Sequence, residues 1–116
     1  MRNDAILIFD ILNAIISLEK FTKKVSKKEF LKNEIMMSAC AQKISVIGEA
    51  SAKLSPSLKK QFSEVPWKEI IGMRNRLVHE YFGIDSIGLW LTIKNDIPEH
   101  KKLIRKIYKS LSITNN

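Results

Sequence analysis

The sequence predicts an all-α domain, built as an antiparallel four-helix-type bundle with one additional short helix. Apolar residues recur at helical spacing along almost the whole chain. Only four glycines and three prolines interrupt its 116 residues. The connections between apolar runs are short, which is typical of antiparallel bundles. We therefore expect a single helical domain over residues 1–116, with 113–116 frayed at its end.

The first helix is predicted from about Asn3 to Thr22, and it is apolar over an unusually wide arc. A surface helix of a globular protein usually has an apolar stripe about 100° wide. Here almost every residue from Ala5 to Leu18 is apolar. The polar residues fall on one narrow line: Asp10, Asn13, Ser17 and Lys20. This pattern predicts burial on two sides, with a second copy of the chain as one source of that burial.

A capping box marks the next helix start. Ser26 and Glu29 have the spacing at which the serine hydroxyl accepts a backbone N–H and the glutamate reaches back. We expect one long helix to follow, from Lys27 to about Ala52. The segment Leu54–Pro56 should end it, and residues 57–62 should form a short helical turn.

The C-terminal half is predicted to contain three more helices. Pro66 is suited to the first turn of a helix whose apolar spacing continues to Tyr81 and whose stop is Gly83. Asp85 is expected to cap the following helix. The segment Asp96–Glu99 resembles a second capping box, from which the last helix should start.

Several functional classes find no support in the sequence. The single cysteine, Cys40, excludes an internal disulfide and a cysteine-based zinc site, and its apolar surroundings predict a buried thiol. Trp67 and Trp90 have the apolar spacing of core residues, and His100 is expected at the surface of the basic C-terminal helix. No glycine-rich phosphate loop or dinucleotide fingerprint is present, so neither a metal nor a cofactor is expected.

The N-terminal apolar run predicts neither a membrane span nor a signal peptide. It is interrupted by Asp10 and is shorter than the roughly 20 apolar residues that cross a bilayer. Asp4 and Asp10 stand where the basic and apolar regions of a signal peptide would be. We expect a cytoplasmic protein without a membrane partner.

The chain is basic, with 20 Lys+Arg against 12 Asp+Glu and a net charge of +8. The positive charge is concentrated in two runs. Such runs attract polyanions, of which RNA is the obvious cytosolic example, although a merely solvated surface explains them equally well. The runs are Lys20, Lys23, Lys24, Lys27, Lys28 and Lys32, then Lys94, Lys101, Lys102, Arg105, Lys106 and Lys109.

The segment from Pro66 to Gly83 concentrates chemistry-bearing side chains. Arg74, His79 and Tyr81 lie within eight residues of one another. A guanidinium presents a planar fork of donors to phosphate oxygens, and an imidazole both accepts and donates protons near neutral pH. These are the groups needed to cut RNA through its 2′-hydroxyl without a metal, since a base, an acid and a cation at the phosphorus suffice.

The spacing of these residues raises a geometric difficulty. On a straight helix, Arg74 and His79 would point about 140° apart, whereas Asn75 and His79 would be neighbours. Either the helix distorts near His79, or a two-fold symmetry mate completes the site. The alternative is structural. In that case His79 caps the helix C-terminus, Arg74 pairs with Glu69 or Glu80, and Tyr81 is a core residue.

The same segment resembles a known family. Arg74, His79 and Tyr81 match the R-x-x-x-x-H-x-Y motif of the HepT-like toxins, a branch of the HEPN superfamily. The similarity extends in order and at the expected spacing over nearly the whole chain, from Asp10 to about Leu111. It includes Ile47–Ala50, Leu54–Ser55, Pro66–Trp67, Gly72–Asn75, Leu77–His79 and Tyr81–Asp85.

The resemblance implies a function and partners. HepT-like proteins are helical homodimers whose composite cleft cuts RNA, either tRNA or mRNA, without metal. Arg74 and His79 match their catalytic pair, and Asn75 matches the polar residue that commonly follows the arginine. Their usual partner is an MntA-type nucleotidyltransferase antitoxin that silences the nuclease by AMPylation of the motif tyrosine, here Tyr81.

Two other functions remain open from the sequence. The bundle could be a non-catalytic binding module that presents a nucleotide or polypeptide to a nucleotidyltransferase. It could also be a structural bundle with a basic surface. RNA cleavage separates the first of these from a ribonuclease.

Overall fold

Helices account for most of the computed structural model, which describes residues 3–79 and 83–114, with side chains up to residue 111. Two very short strands, β1 and β2, pair antiparallel between the fifth and sixth helices. A π-helical turn, Thr92–Asp96, joins the last two helices. The elements are α1 (Asp4–Thr22), α2 (Lys27–Leu31), α3 (Glu34–Lys53), α4 (Pro56–Gln61), α5 (Trp67–Leu77), β1 (Val78–His79), β2 (Gly83–Ile84), α6 (Ser86–Leu91) and α7 (Ile97–Thr114).

The four longest helices, α1, α3, α5 and α7, form the predicted bundle. Helix α3 packs between α1 and α5, and α1 also packs against α7. The all-α helical bundle is thereby confirmed, but three short helices, α2, α4 and α6, accompany the long ones in the described residues where one was predicted. Isoleucines fill much of the core, among them Ile8, Ile11, Ile15, Ile44, Ile47, Ile70, Ile97 and Ile104.

The two-sided burial predicted for α1 is confirmed, and helices of the same chain supply it. Helix α1 buries one side against α3 and another against α7. Ile6 and Phe9 nevertheless remain 42% and 49% exposed. The apolar arc of α1 is therefore largely explained within one subunit.

The capping box at Ser26 is confirmed, but the single long helix predicted after it is wrong. Ser26 Oγ accepts from the Glu29 N–H at 3.1 Å, and the Ser26 N–H donates to Glu29 Oε1 at 3.0 Å. The helix then ends at Leu31, and α3 begins three residues later, at Glu34. Asn33 causes the restart, because its side-chain oxygen accepts from the Met36 N–H at 2.9 Å and caps α3.

The helix predicted to reach Gly83 also ends early, at Leu77. Val78 adopts an extended conformation, and it pairs with Ile84 in the small sheet. The Asp85 N–H donates to the Leu77 carbonyl at 2.8 Å, which closes the turn. Gly83 has a φ of +77°, a conformation that glycine adopts without the cost a side chain would add.

The second capping box, at Asp96–Glu99, is wrong too. Asp85 caps α6 as predicted, accepting from the Gly88 N–H at 3.0 Å. The chain is already helical at Asp96, so α7 begins at Ile97, inside the predicted segment, by a change from the π-helical to the α-helical pattern. Pro98 has no N–H to continue an α-helical ladder, and the wider π-helical turn directly precedes it.

Lys94 ties this π-helical turn to the end of α1. Its Nζ donates to the Thr22 carbonyl at 3.1 Å and lies 4.8 Å from the centre of the Trp90 ring. Trp90 in turn packs on Phe30 of α2, with ring centroids 5.1 Å apart. A cation at the C-terminal end of α1 is favoured by the helix dipole.

Two buried side chains on α3 and α7 bear on the sequence predictions. Cys40 is buried as expected, and burial raises the pKa of its thiol to about 11. The surface position expected for His100 is wrong, since its side chain is only 7% exposed. His100 lies on the same side of α7 as Ile97, Ile104 and Ile107, so helical periodicity directs it to the core.

None of the helices in the described ranges is long and apolar enough to cross a bilayer.

Candidate functional site

Arg74 and Asn75 project from the last turn of α5 as exposed side chains. The Arg74 guanidinium donates to Asn75 Oδ1 at 3.5 Å, a long hydrogen bond that leaves most of its donors available. The Arg74 carbonyl accepts the Val78 N–H in the last bond of the helix, which ends because Val78 is extended. The pair therefore stands at the helix end, next to the point where the chain turns into β1.

These two residues line an open groove between α3 and α5 of about 440 Å³. Helix α3 contributes Ser45 and Glu49 as polar lining residues, and Ile71 lies on the floor from α5. The groove thus combines a guanidinium, a carboxylate, an amide and a hydroxyl. Such a set can hydrogen-bond both the phosphate and the base of a nucleotide.

A glycine sets the separation of the two helices at this groove. A Cβ on Gly48 would lie 3.1 Å from the Ile71 carbonyl oxygen, closer than almost all real Cβ contacts. A side chain there would press on the backbone of α5, so glycine at this position favours the close approach of the two helices. Gly48 therefore positions the backbone of α5 that carries Arg74.

His79 lies on β1, two residues beyond the end of α5, and is exposed. Its backbone pairs with Gly83. The helix ends before His79, which is the first of the two geometries expected. Asn75 and His79 therefore do not lie on one helix, and they are not neighbours on a helix face. Within residues 3–79 and 83–114, no hydrogen bond joins Arg74 to His79.

The structural alternatives for these residues find no contact to support them in the described ranges. Arg74 forms no ion pair with Glu69 among the described residues, and both side chains are exposed. His79 has no side-chain hydrogen bond to the end of α5 there either. Tyr81 and Glu80 lie outside the described residues.

Sequence reasoning missed Ser45 and Glu49. Both lie on α3, far from the motif along the chain, and although Glu49 belongs to the family-like segment Ile47–Ala50, that segment predicts no role for it. The nearest signal is Gly48, whose place inside a long helix indicates a close approach of another element. Residues 3–79 and 83–114 contain no group of three or more His, Cys, Asp or Glu residues arranged to hold a metal ion.

Comparisons with known proteins point to one family. A family model described as ribonuclease HepT-like matches residues 11–107. The chain is 40% identical over 101 residues to "Putative RNase MJ1380" of Methanocaldococcus jannaschii, an alignment that covers 87% of this chain and 93% of that protein. It is 37% identical over 110 residues to "Putative RNase MJ0125" of the same organism, with 95% of each chain covered.

A third relative comes from another archaeon. The chain is 38% identical over 100 residues to "Probable ribonuclease HepT" of Thermococcus cleftensis, which covers 86% of this chain and 91% of that protein. No solved structure gives a significant match to the chain.

Proposed function

This chain belongs to the HepT-like ribonuclease family, and on that premise we propose that it is the toxin of a toxin–antitoxin system, a cytoplasmic endoribonuclease that cuts RNA without metal. The observation that carries the proposal is the placement of Arg74. Its exposed guanidinium lines a polar groove, and His79 lies two residues beyond the end of the helix that bears it. The relatives named as ribonucleases support the same reaction class.

The proposed reaction is attack of the RNA 2′-hydroxyl on the neighbouring phosphorus. A base removes the hydroxyl proton, the oxygen–phosphorus bond forms, and the bond to the 5′ oxygen breaks as an acid protonates that leaving group. The products are a 2′,3′-cyclic phosphate and a 5′-hydroxyl. Arg74 stabilises the negative charge that builds on the phosphoryl oxygens, and His79 transfers the protons.

We propose that the active form is a homodimer. The reaction needs two proton transfers at two different oxygens, and one chain supplies one His79. A two-fold dimer would bring two copies of His79 and two of Arg74 around one cleft. No hydrogen bond joins Arg74 to His79 in the described ranges of one chain. A dimer would allow the two residues to act together from different copies.

The proposed regulator is an MntA-type nucleotidyltransferase antitoxin that attaches AMP to Tyr81. In sequence, Tyr81 stands between His79 and Gly83. An added nucleotide there would place a bulky anion beside the site, where it repels RNA phosphates and obstructs their access. Loss of the modification would then restore cleavage.

The test is RNA cleavage in excess EDTA by the purified protein, shown by intact mass to be unmodified, beside His79→Ala. The expected result is cleavage by the parent protein and none by the variant. Circular dichroism and the molecular mass in solution must match for the two proteins, so that a folding defect is detected. A folded His79→Ala protein that still cuts would contradict the catalytic role of His79. If neither protein cuts cellular RNA, the non-catalytic binding module becomes the better account.

A further inference from the structure

Helix α7 carries five cations on its outer side, which we call the α7 basic face: Lys101, Lys102, Arg105, Lys106 and Lys109. Together they line an open concavity of about 360 Å³. After Glu99, the sequence contains no further acidic residue. The face is thus uniformly positive along most of α7.

Few carboxylates neutralise this face. Lys101 pairs with Glu19 of α1 at 2.7 Å, and Lys102 pairs with Glu99 at 3.5 Å. Arg105, Lys106 and Lys109 are exposed and form no ion pair within the part of the chain that the structure describes. Their three charges are therefore available to an external anion.

The positive surface continues onto α1. The Glu19–Lys101 ion pair borders a second open concavity of about 330 Å³, which Ile16, Glu19, Lys20 and Lys23 line. Lys20 and Lys23 are both exposed. The cations thus spread over two helices, which is a larger area than one small anion would cover.

The spacing on α7 suits a polymer that carries charge at regular intervals. Lys101, Arg105 and Lys109 follow one another at every fourth residue. At the rise of an α-helix, successive members lie about 6 Å apart along the axis. A row of this kind can contact several successive phosphates of a nucleic-acid strand.

Other partners fit the face less well. The centres of protein–protein interfaces are rich in aromatic residues and poor in lysine, the reverse of this surface. A helix that lies in a membrane interface exposes an apolar face to the acyl chains. The apolar side of α7 is instead committed to the core through Ile97, Ile104 and Ile107.

We propose that the α7 basic face is an RNA-anchoring surface that holds the sugar–phosphate backbone of the substrate outside the groove of Arg74. The inference rests on the proposed ribonuclease function for its choice of RNA. None of its five cations lines that groove, which α3 and α5 form. The contacts are to phosphate, so the surface adds affinity without reading the base sequence.

The test is binding of a fluorescent single-stranded RNA by the full chain, in a His79→Ala background so that cleavage does not consume the ligand. The first variant adds Arg105→Gln, Lys106→Gln and Lys109→Gln. The matched control adds Lys27→Gln, Lys28→Gln and Lys32→Gln, which removes the same charge from the exposed surface of α2 and the residue that follows it. The affinity of each protein is measured across a range of salt concentrations.

The expected result is a selective loss in the α7 variant. Three lost phosphate contacts should reduce the slope of log affinity against log salt by about 2 and weaken binding roughly 100-fold at about 0.1 M salt. The control should lose far less. If thermal unfolding shows that the α7 variant is not folded, the comparison is repeated with the single charge reversal Lys106→Glu.

Equal losses in the two variants would overturn the inference, because they would show diffuse attraction to net charge. Unchanged RNA binding by the α7 variant would overturn it as well. The same holds if this variant binds RNA normally and loses only its binding to phosphatidylserine vesicles. Cleavage by the parent protein is scored separately. If the parent protein cuts RNA and the α7 variant still binds RNA normally, the anchoring surface is refuted and the proposed function stands. If the parent protein binds RNA through α7 but does not cut it, only the proposed catalysis is refuted.

Discussion

Arg74 stands out because no carboxylate in the described part of the chain neutralises its positive charge. Its guanidinium has one long hydrogen bond, to Asn75. A phosphate arriving in the groove would therefore meet available donors and would not need to displace an ion pair with Glu69. The planar fork of arginine, rather than charge alone, is the property that the proposed reaction uses.

Arg74→Lys should lower kcat/KM for RNA by about 10²–10³-fold, because lysine keeps the charge but loses the paired donors that meet the phosphoryl oxygens in the transition state. The control is Arg76→Lys, an exposed arginine of the same helix that does not line the groove. Steady-state cleavage kinetics measure both. Equal rates for Arg74→Lys and the parent would show that the guanidinium takes no specific part.

His100 is a second residue whose environment has a measurable consequence. Burial lowers the pKa of its imidazole from the usual 6.5, against the smaller opposing influence of Asp96, Glu69 and Glu99, while Arg76 lowers the pKa further. Its Nδ1 has no hydrogen-bond partner among the residues that the structure describes. The folded protein therefore holds this side chain neutral at a pH where the unfolded chain takes up a proton.

The free energy of unfolding should consequently fall as the pH drops below about 6.5, with a slope of at most about 1.4 kcal/mol per pH unit from this group. The unfolded state binds the extra proton, so stability rises with pH through this window. Urea unfolding of the parent and of His100→Leu at pH values from about 5.5 to 7.5 measures the effect. A pH dependence that is identical in the two proteins would rule out His100 as its source.

Among the elements, the contact between α3 and α5 does most to position the candidate site. Gly48 lies where a Cβ would press on the Ile71 carbonyl, whereas a Cβ on Gly72 would meet nothing within 4 Å. Gly72 is inside α5, two residues before Arg74 in the same groove-forming helix. The two glycines form a matched pair, because substitution by alanine should have opposite effects on stability at the two positions.

Gly48→Ala should destabilise the fold by about 1–3 kcal/mol, since α5 must shift as a backbone unit to admit the methyl group. Gly72→Ala should stabilise it by about 0.5–1 kcal/mol, because alanine is the better helix former and has open space. Chemical denaturation gives both values. A stabilising Gly48→Ala substitution would show that the helices are not in close contact there.

Element boundaries also show how far sequence reasoning reaches. The start of α1, the capping box at Ser26 and the cap at Asp85 are local signals, and each is confirmed. Asn33 gives no sign of a helix break in the sequence, because the apolar spacing runs on across it. The end of α5 was misplaced because the pairing of Val78 with Ile84 is not a property of the helix itself.

The candidate site divides in the same way. A motif read along the chain selects Arg74, Asn75, His79 and Tyr81, but it cannot reveal which residues of another helix complete the groove. Ser45 and Glu49 become visible only through the packing of α3 on α5. The lysines around His100 predict a surface position, although its own helical position matches the core isoleucines.

At the scale of the whole molecule, the positive charge and the groove lie on different elements. The α7 basic face and the Arg74 groove share no lining residue, because α7 alone bears the five cations and α3 and α5 form the groove. A long RNA could therefore be held at one place and cut at another. A dimer of the proposed kind would double both features around one axis.

The central claim, that Arg74 and His79 drive attack by the RNA 2′-hydroxyl, is tested most directly with two oligonucleotides of one sequence in excess EDTA. One is RNA throughout, and the other has 2′-deoxy sugars throughout. The account predicts that the parent protein cuts only the RNA and leaves 2′,3′-cyclic phosphate ends, and that folded His79→Ala cuts neither. Cleavage of the 2′-deoxy strand by the parent, or of the RNA by folded His79→Ala, would contradict it.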